Sequence, residues 1–278
     1  MSPTQSQRES TKGLAHGFRN VDCADDPTCF AAYLDAVAIQ LQEHKRESYN
    51  MLELSAGNAV LEVGCGTGDD ARALATQVAP GGHVVGIDLS AGIIEEAQAR
   101  TGATQVPVDF IVRDAHATGL AAESFDAARV ERCLQHVEHP EVVIAEMRRL
   151  VRTGGCIVAA EPDWETLAIA ASDHALTRSI TRTLTDRAAH GRIGRHLPAL
   201  MVTAGLHDLM IRPITLLTRS LAVATNIFQL GSAAEDPHVR LAYEPERIQA
   251  WISELQRRDA EGHFLGALGG FLVRARVP

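Results

Sequence analysis

One stretch constrains this chain more than any other: Val60-Leu61-Glu62-Val63-Gly64-Cys65-Gly66-Thr67-Gly68-Asp69. A short apolar run, Ala59–Val63, ends in alternating glycines. It passes directly into a helical pattern, Asp69–Val78, with Ala71, Leu74, Ala75 and Val78 on one side. That reads as a buried strand, a tight turn and a helix, the first half of a βαβ unit. Glycines at such a turn let a ligand approach the backbone, and the helix start offers free N–H groups. The spacing narrows the ligand. The dinucleotide fingerprint G-x-G-x-x-G is replaced here by G-x-G-x-G followed by Asp69. Asp69 and Asp70 at the helix start disfavour a pyrophosphate and suit a ligand carrying a cationic amine or sulfonium. No Gly-Lys-Ser/Thr follows, which excludes a Walker-type phosphate loop.

The surrounding sequence repeats the alternation. Strand-like runs at 83–87, 108–112, 125–130 and 156–160 are separated by helical patterns at 90–100 and 140–150. Ser90 is placed to cap the first of these helices, and Pro140 to occupy the first helical position of the second. Strands alternating with helices predict a parallel sheet, and right-handed crossovers then force a doubly wound α/β layer structure. Beyond Pro162 the pattern loosens into helical stretches at 171–189, 198–204, 221–230 and 245–258, with strand-like runs at 207–217 and 271–277. Residues 1–25 lack apolar period and read as an arm. A helix follows, with Phe30, Tyr33, Leu34, Val37 and Leu41 at helical spacing.

Composition removes several function classes. A net charge of −9 argues against a nucleic-acid or anionic-membrane surface. The five cysteines are scattered with no C-x-x-C pair, and no H-E-x-x-H occurs, so no metal site is expected. The first twenty residues carry no apolar leader pattern and no run of apolar residues is long enough to span a bilayer, so a cytoplasmic location is expected.

Three further signals follow the glycine loop in order. Gly86-Ile87-Asp88-Leu89-Ser90 closes the second strand with an acid that can accept both hydroxyls of a ribose. Arg113-Asp114-Ala115 ends the third, where a carboxylate can accept from an adenine amino group. Ser124-Phe125-Asp126 leads through the fourth to Glu131-Arg132-Cys133-Leu134-Gln135-His136. Together with the run from Leu150 to Glu161, these features resemble the class I S-adenosylmethionine-dependent methyltransferases. The resemblance is to the small-molecule branch similar to the UbiE/COQ5 group, and it covers residues 50–162.

The resemblance implies a Rossmann-like class I methyltransferase fold: a seven-stranded, mostly parallel sheet, its last strand antiparallel, with an added helical cap. It implies an N-terminal arm and helical lid over 1–50, a cofactor-binding core over 51–162, and a cap with the last two strands over 163–278. The implied cofactor is S-adenosylmethionine. Gly64, Cys65, Gly66 and Gly68 would line its methionine moiety, with Glu62 beneath, orienting the loop. Asp88 would take the ribose, Leu89 would pack on the adenine, and Asp114 with Ala115 would hold the adenine edge. The backbone near Glu131 would face the methionine amino group. Glu62 stands where the family usually carries Asp.

The expected activity is methyl transfer to an O, N or C nucleophile of a small organic acceptor, in secondary or quinone-type metabolism. The same pocket used for a rearrangement without methyl transfer is the alternative, and a dinucleotide oxidoreductase is disfavoured by Asp69. His136, after strand four, is either a general base or a packed helix-start histidine. Glu161, Asp163 and Trp164 end strand five at the carboxyl edge, where open α/β sheets bind ligands; Trp164 is either an acceptor wall or packing. Arg187 falls inside the apolar arc set by Leu176, Ile180, Leu184 and Ala188. A guanidinium there needs a partner, either an internal carboxylate or an anionic acceptor.

Overall fold

The computed structural model describes residues 28–102 and 106–278, so the arm read at 1–25 lies outside the described residues. In chain order the elements are α1 (Thr28–Gln40), α2 (Gln42–Met51), β1 (Ala59–Val63), α3 (Asp69–Val78), β2 (His83–Asp88), α4 (Ala91–Thr101) and β3 (Val108–Val112). They continue with β4 (Phe125–Glu131), α5 (Pro140–Leu150), β5 (Val151–Pro162), a single 3-10 turn (Trp164–Thr166), β6 (Ala168–Ile169), α6 (His174–Arg187) and α7 (Ile193–Thr203). The chain ends with β7 (His207–Thr218), α8 (Leu221–Phe228), α9 (Leu230–Ala234), α10 (Pro237–Ala242), α11 (Pro245–Ala260) and β8 (Gly266–Arg276).

The long strands run β3-β2-β1-β4-β5-β8-β7. Strands β1 to β5 pair in parallel, and β8 is antiparallel to both β5 and β7. These are the seven expected strands. An eighth, β6, adds two residues against the start of β8. The order turns outward on both sides of β1, which opens a crevice over the carboxyl ends of β1 and β2 on one side and β4 on the other.

Side chains alternate across the sheet as the strand period requires. Leu61 and Val63 of β1 join Ile157 and Ala159 of β5 under α5 and α7, whereas Val60, Val158 and Ala160 face α2, α3 and α4. The expected starts hold: Ser90 Oγ accepts from Ile93 N at 3.1 Å, and Pro140 opens α5. A third apolar cluster lies off the sheet. There α1 (Tyr33, Val37) and Leu41 just after it pack with α6, α8 and α11, including Phe228 and Trp251. The cap therefore has a core of its own, and α1 is part of it.

The segment 163–204 divides between the two. Helix α6 joins the cap core, but α7 buries Ile193, Leu197 and Met201 beside α5 against the sheet. It lies so close to β5 that a Cβ on Gly194 would stand 2.7 Å from the Glu161 carbonyl oxygen. Helix α7 starts before the expected 198, with Pro198 inside it. The helix expected over 221–230 is interrupted at Gln229, whose φ of 57° ends α8 and begins α9.

Candidate active site

The turn after β1 is built from left-handed backbone: φ is 67° at Gly64, 53° at Gly66 and 82° at Gly68. Only glycine adopts these values without strain. The three glycines do different work. A Cβ at Gly64 would lie 2.8 Å from Cys133 Sγ, and one at Gly68 would collide with the Phe110 ring. Gly66 faces outward, where a Cβ would meet Leu34 of α1 at 3.3 Å. The loop is pinned from below by Cys65 N donating to the Ile87 carbonyl at 2.9 Å. From the side, Gly66 N donates to Asp88 Oδ2 at 3.1 Å.

Above this turn a cavity of about 800 Å³ spreads over the carboxyl ends of β1 to β4, with α1 as its roof. Gly64, Cys65 and Gly66 line it at the centre, Asp88 and Leu89 at the end of β2, Asp114 and Ala115 beyond β3, and Glu131 and His136 after β4. Nine residues expected at the site thus converge. Asp88 keeps its carboxylate at the rim by accepting from Ser90 N at 3.1 Å with its other oxygen. Leu89 is 61% exposed, an apolar platform beside it. Asp114 accepts from both the backbone N–H and the imidazole of His116, at 2.9 and 2.6 Å. The His116 N–H is the main reason its carboxyl titrates below the usual range.

Two expected cofactor residues lie outside the lining. Gly68 is a packing glycine against Phe110. Glu62 is buried beneath the cavity, and its carboxylate accepts from Arg129. Parallel pairing puts Glu62 directly opposite Arg129 in β4. The fully buried Arg129 guanidinium also contacts Glu131 and Asp70, and its Nε donates to Ser48 Oγ at 2.8 Å. Asp70 is held further by Lys45 at 2.7 Å and by the Tyr49 hydroxyl. Burial pushes the Glu62 carboxyl up to about 8 against the pull of Arg129. At Asp70 burial acts in the same upward direction, but Arg129 and Lys45 prevail and hold it at about 2.

The segment after β4 is equally constrained. Arg132 has φ 53°, left-handed for a side-chain-bearing residue, and its N–H donates to the Ala160 carbonyl at 3.0 Å. Glu161 Oε1 accepts from Cys133 N at 2.8 Å and Leu134 N at 2.7 Å, which holds the segment carrying His136. Burial pushes Glu161 up to about 7.

The three residues expected to bind the acceptor do not line the cavity, and each has another task. Asp163 is 1% exposed and takes the Arg195 guanidinium, with Nη2 at 2.9 Å from Oδ1. Trp164 donates from Nε1 to Gln135 Oε1 at 2.7 Å and packs against the cap core. Arg187 donates to Asp236 and to the Ser232 carbonyl and hydroxyl, all at 2.9 Å. Of the two partners open to Arg187, the internal carboxylate is the one present.

Residues 60–155 match the family described as a methyltransferase domain. Over 251 residues the chain is 36% identical to a 37.1 kDa protein of transposon Tn4556 from Streptomyces fradiae, covering 88% of this chain and 71% of that protein. It is 31% identical over 141 residues to demethylmenaquinone methyltransferase from Staphylococcus aureus, covering 50% of this chain and 58% of that enzyme. The fold matches that of Haemonchus contortus phosphoethanolamine N-methyltransferase 2 in complex with S-adenosyl-L-methionine. That likeness has a TM-score of 0.53 and 17% identity, over 99% of this chain and 58% of the other. The chain belongs to the class I S-adenosylmethionine-dependent methyltransferases.

S-adenosylmethionine is accordingly the cofactor of this methyltransferase. The site admits it: a loop that is glycine where the roof comes down, a rim carboxylate and an exposed apolar platform. No helix among the described residues is long and apolar enough to cross a membrane. Sequence reasoning missed Arg129, Lys45 and Tyr49, the cluster that carries the methyltransferase cavity floor. A signal for the first existed. An acid and a base each interrupt otherwise apolar neighbouring strands, and strand pairing sets them face to face. Lys45 and Tyr49 lie on a polar helix, and nothing local marks them.

Proposed function

We propose that this methyltransferase transfers a methyl group to an O, N or C nucleophile of a small organic acceptor held in the cavity beneath α1. The convergence of nine expected residues on one cavity carries the reading. Small-molecule pockets run from roughly 300 to 1,000 Å³, so about 800 Å³ leaves room for a compact acceptor beside the cofactor. The walls are enclosing rather than flat, which favours a small molecule over a polymer. The likeness to a demethylmenaquinone methyltransferase supports an aromatic, quinone-type acceptor among the possibilities to be assayed.

In this reading Gly64, Cys65 and Gly66 face the methionine moiety, together with the backbone at Glu131. Asp88 accepts from the ribose hydroxyls, Leu89 carries the adenine face, and Asp114 with Ala115 meets the adenine edge. Glu62 acts from below, through Arg129 and Glu131. Bound there, the cofactor supplies an activated methyl carbon on a sulfonium. The protein's own part is alignment and exclusion of water. The acceptor's nucleophile would be aligned on that carbon by the cavity walls, and the His136 imidazole would take the proton the nucleophile releases.

The test is product balance. With a panel of phenols, quinols and amines, each methylated product is expected to appear with one S-adenosylhomocysteine. Turnover of an acceptor without S-adenosylhomocysteine points to rearrangement chemistry and contradicts the proposal. For the acceptor that turns over, His136→Ala is expected to lower kcat about 100-fold with cofactor affinity retained. Parallel loss of cofactor affinity and Tm would make His136 a structural residue.

A further inference from the structure

Most charged groups lining the cavity are already matched. Lys45 is bound to Asp70, Glu131 to Arg129, and His116 to Asp114. Arg113 lacks a carboxylate partner among the described residues, but it is exposed and donates to the Val112 carbonyl at 2.9 Å. Arg132 is different. Among the described residues no carboxylate lies within 4.0 Å of its guanidinium. It is half-buried and lines the cavity. Its side-chain partner is neutral: Nη2 donates to the Tyr33 hydroxyl at 2.8 Å, with the guanidinium 5.9 Å from the centre of that ring.

Its position is held from both ends. The backbone is pinned to β5 by the bond to the Ala160 carbonyl, at a φ of 53° that costs energy for any residue but glycine. The head group is steered by Tyr33, whose hydroxyl also reaches the Ile227 carbonyl at 3.4 Å. Asp88 and Asp114 follow β2 and β3, on one side of β1, whereas Arg132 and His136 follow β4, on the other. His190, on the loop before α7, completes this end; its N–H donates to the Gln135 carbonyl at 3.1 Å. The carboxylate of Glu138 stands in solvent, 86% exposed. Glu161 below feels Arg132 through space, but Oε1 is committed to the backbone and neither of its oxygens lies within 4.0 Å of the guanidinium. Around these groups Leu34, Val37, Val137 and Ala189 form an apolar wall.

Among the described residues this half-buried guanidinium has the neutral Tyr33 hydroxyl and ring as partners and no carboxylate within ion-pair reach, so a bound anion would restore part of the solvation that burial removes. The guanidinium also presents a planar fork suited to two oxygens of one carboxylate. We infer that the acceptor is an organic acid, whose carboxylate is clamped by Arg132 while its apolar body lies against α1 and the segment after β4. This rests on the proposed placement of the cofactor along β1 to β3. It makes Arg132 the specificity-determining residue of the acceptor end.

The cofactor's methionine end also carries a carboxylate, so the test must separate the two. Protein saturated with S-adenosylhomocysteine is titrated calorimetrically with three acids, 4-hydroxybenzoate, phenylacetate and octanoate, and with their neutral amides. At least one acid is expected to bind about tenfold tighter than its amide. Arg132→Gln is expected to erase that preference and leave the S-adenosylhomocysteine affinity unchanged, with Tm shifted by no more than the loss of the one hydrogen bond to Tyr33 gives. Arg132→Lys, which keeps the charge and loses the fork, is expected to fall between them and serves if the glutamine variant does not fold. No acid preference in the unaltered protein overturns the inference, and so does a preference that survives Arg132→Gln. A loss of S-adenosylhomocysteine affinity in the variants assigns Arg132 to the cofactor and also overturns it. Failure of the unaltered protein to bind S-adenosylhomocysteine at all refutes the cofactor placement instead.

Discussion

Glu161 is fully buried, and among the described residues one of its two oxygens finds partners: Oε1 takes two backbone N–H groups, and Oε2 takes none. Burial raises its pKa from 4.5 to about 7, with the N–H groups of Leu134 and Cys133 pulling the other way. Between those values the native state retains a proton that the unfolded chain has released. Its contribution to stability is therefore complete below about 4.5 and is lost as pH rises through about 7. Glu161→Gln keeps the accepting oxygen and cannot ionise. The Tm of the variant relative to the unaltered protein is expected to rise from about pH 5 to about pH 8, by the equivalent of a few kcal/mol at most. Glu62 titrates in an overlapping window but is common to both proteins, so it cancels in the difference. A gap that stays constant with pH, measured by thermal unfolding, contradicts the assignment. Sequence marked Glu161 as a strand-end acid at the ligand edge. What it could not convey is that the carboxylate turns inward, because that depends on the path of residues 131–136, which no local pattern encodes.

At the scale of elements, the cap is joined by a few long-range ties, and Arg187 makes one of them. It links the end of α6 to Ser232 of α9 and to Asp236, which caps α10. Replacing it by methionine keeps the bulk and leaves a half-buried Asp236 and a carbonyl without their donor. Arg187→Met is expected to cost about 1–3 kcal/mol and to lower Tm by about 3–8 °C, with acceptor KM unchanged. A selective rise in KM at constant Tm contradicts this. The helical period already required a partner for Arg187, but Asp236 is distant in sequence, so its identity was beyond reach. The same limit explains α7. The spacing of Ile193, Leu197 and Met201 shows an apolar face but not which of two cores it enters, and contact with β5 decides the matter. The Rossmann-like half was far more legible. Its strands are short apolar runs bounded by turn residues, each followed by a helix, and connection rules leave little freedom.

Across the whole molecule, the proposed function depends on bringing α1 and the elements packed with it over the sheet edge that carries the proposed cofactor residues. Tyr33 reaches both Arg132 and the Ile227 carbonyl, and Arg100 of α4 binds Asp35 of α1 at 2.7 Å, so the roof is tied to cap and core alike. Beneath it the strand ends set the order glycine loop, Asp88, Asp114, which is the central claim about how the cofactor lies. Calorimetric titration with S-adenosylhomocysteine tests it most directly. The unaltered protein is expected to bind at micromolar level, and Asp88→Ala to weaken binding about 10- to 100-fold through lost ribose hydrogen bonds. Asp88→Asn, which keeps one accepting oxygen for Gly66 N, is expected to lie between them with an unchanged Tm. Full affinity in Asp88→Ala would contradict the account.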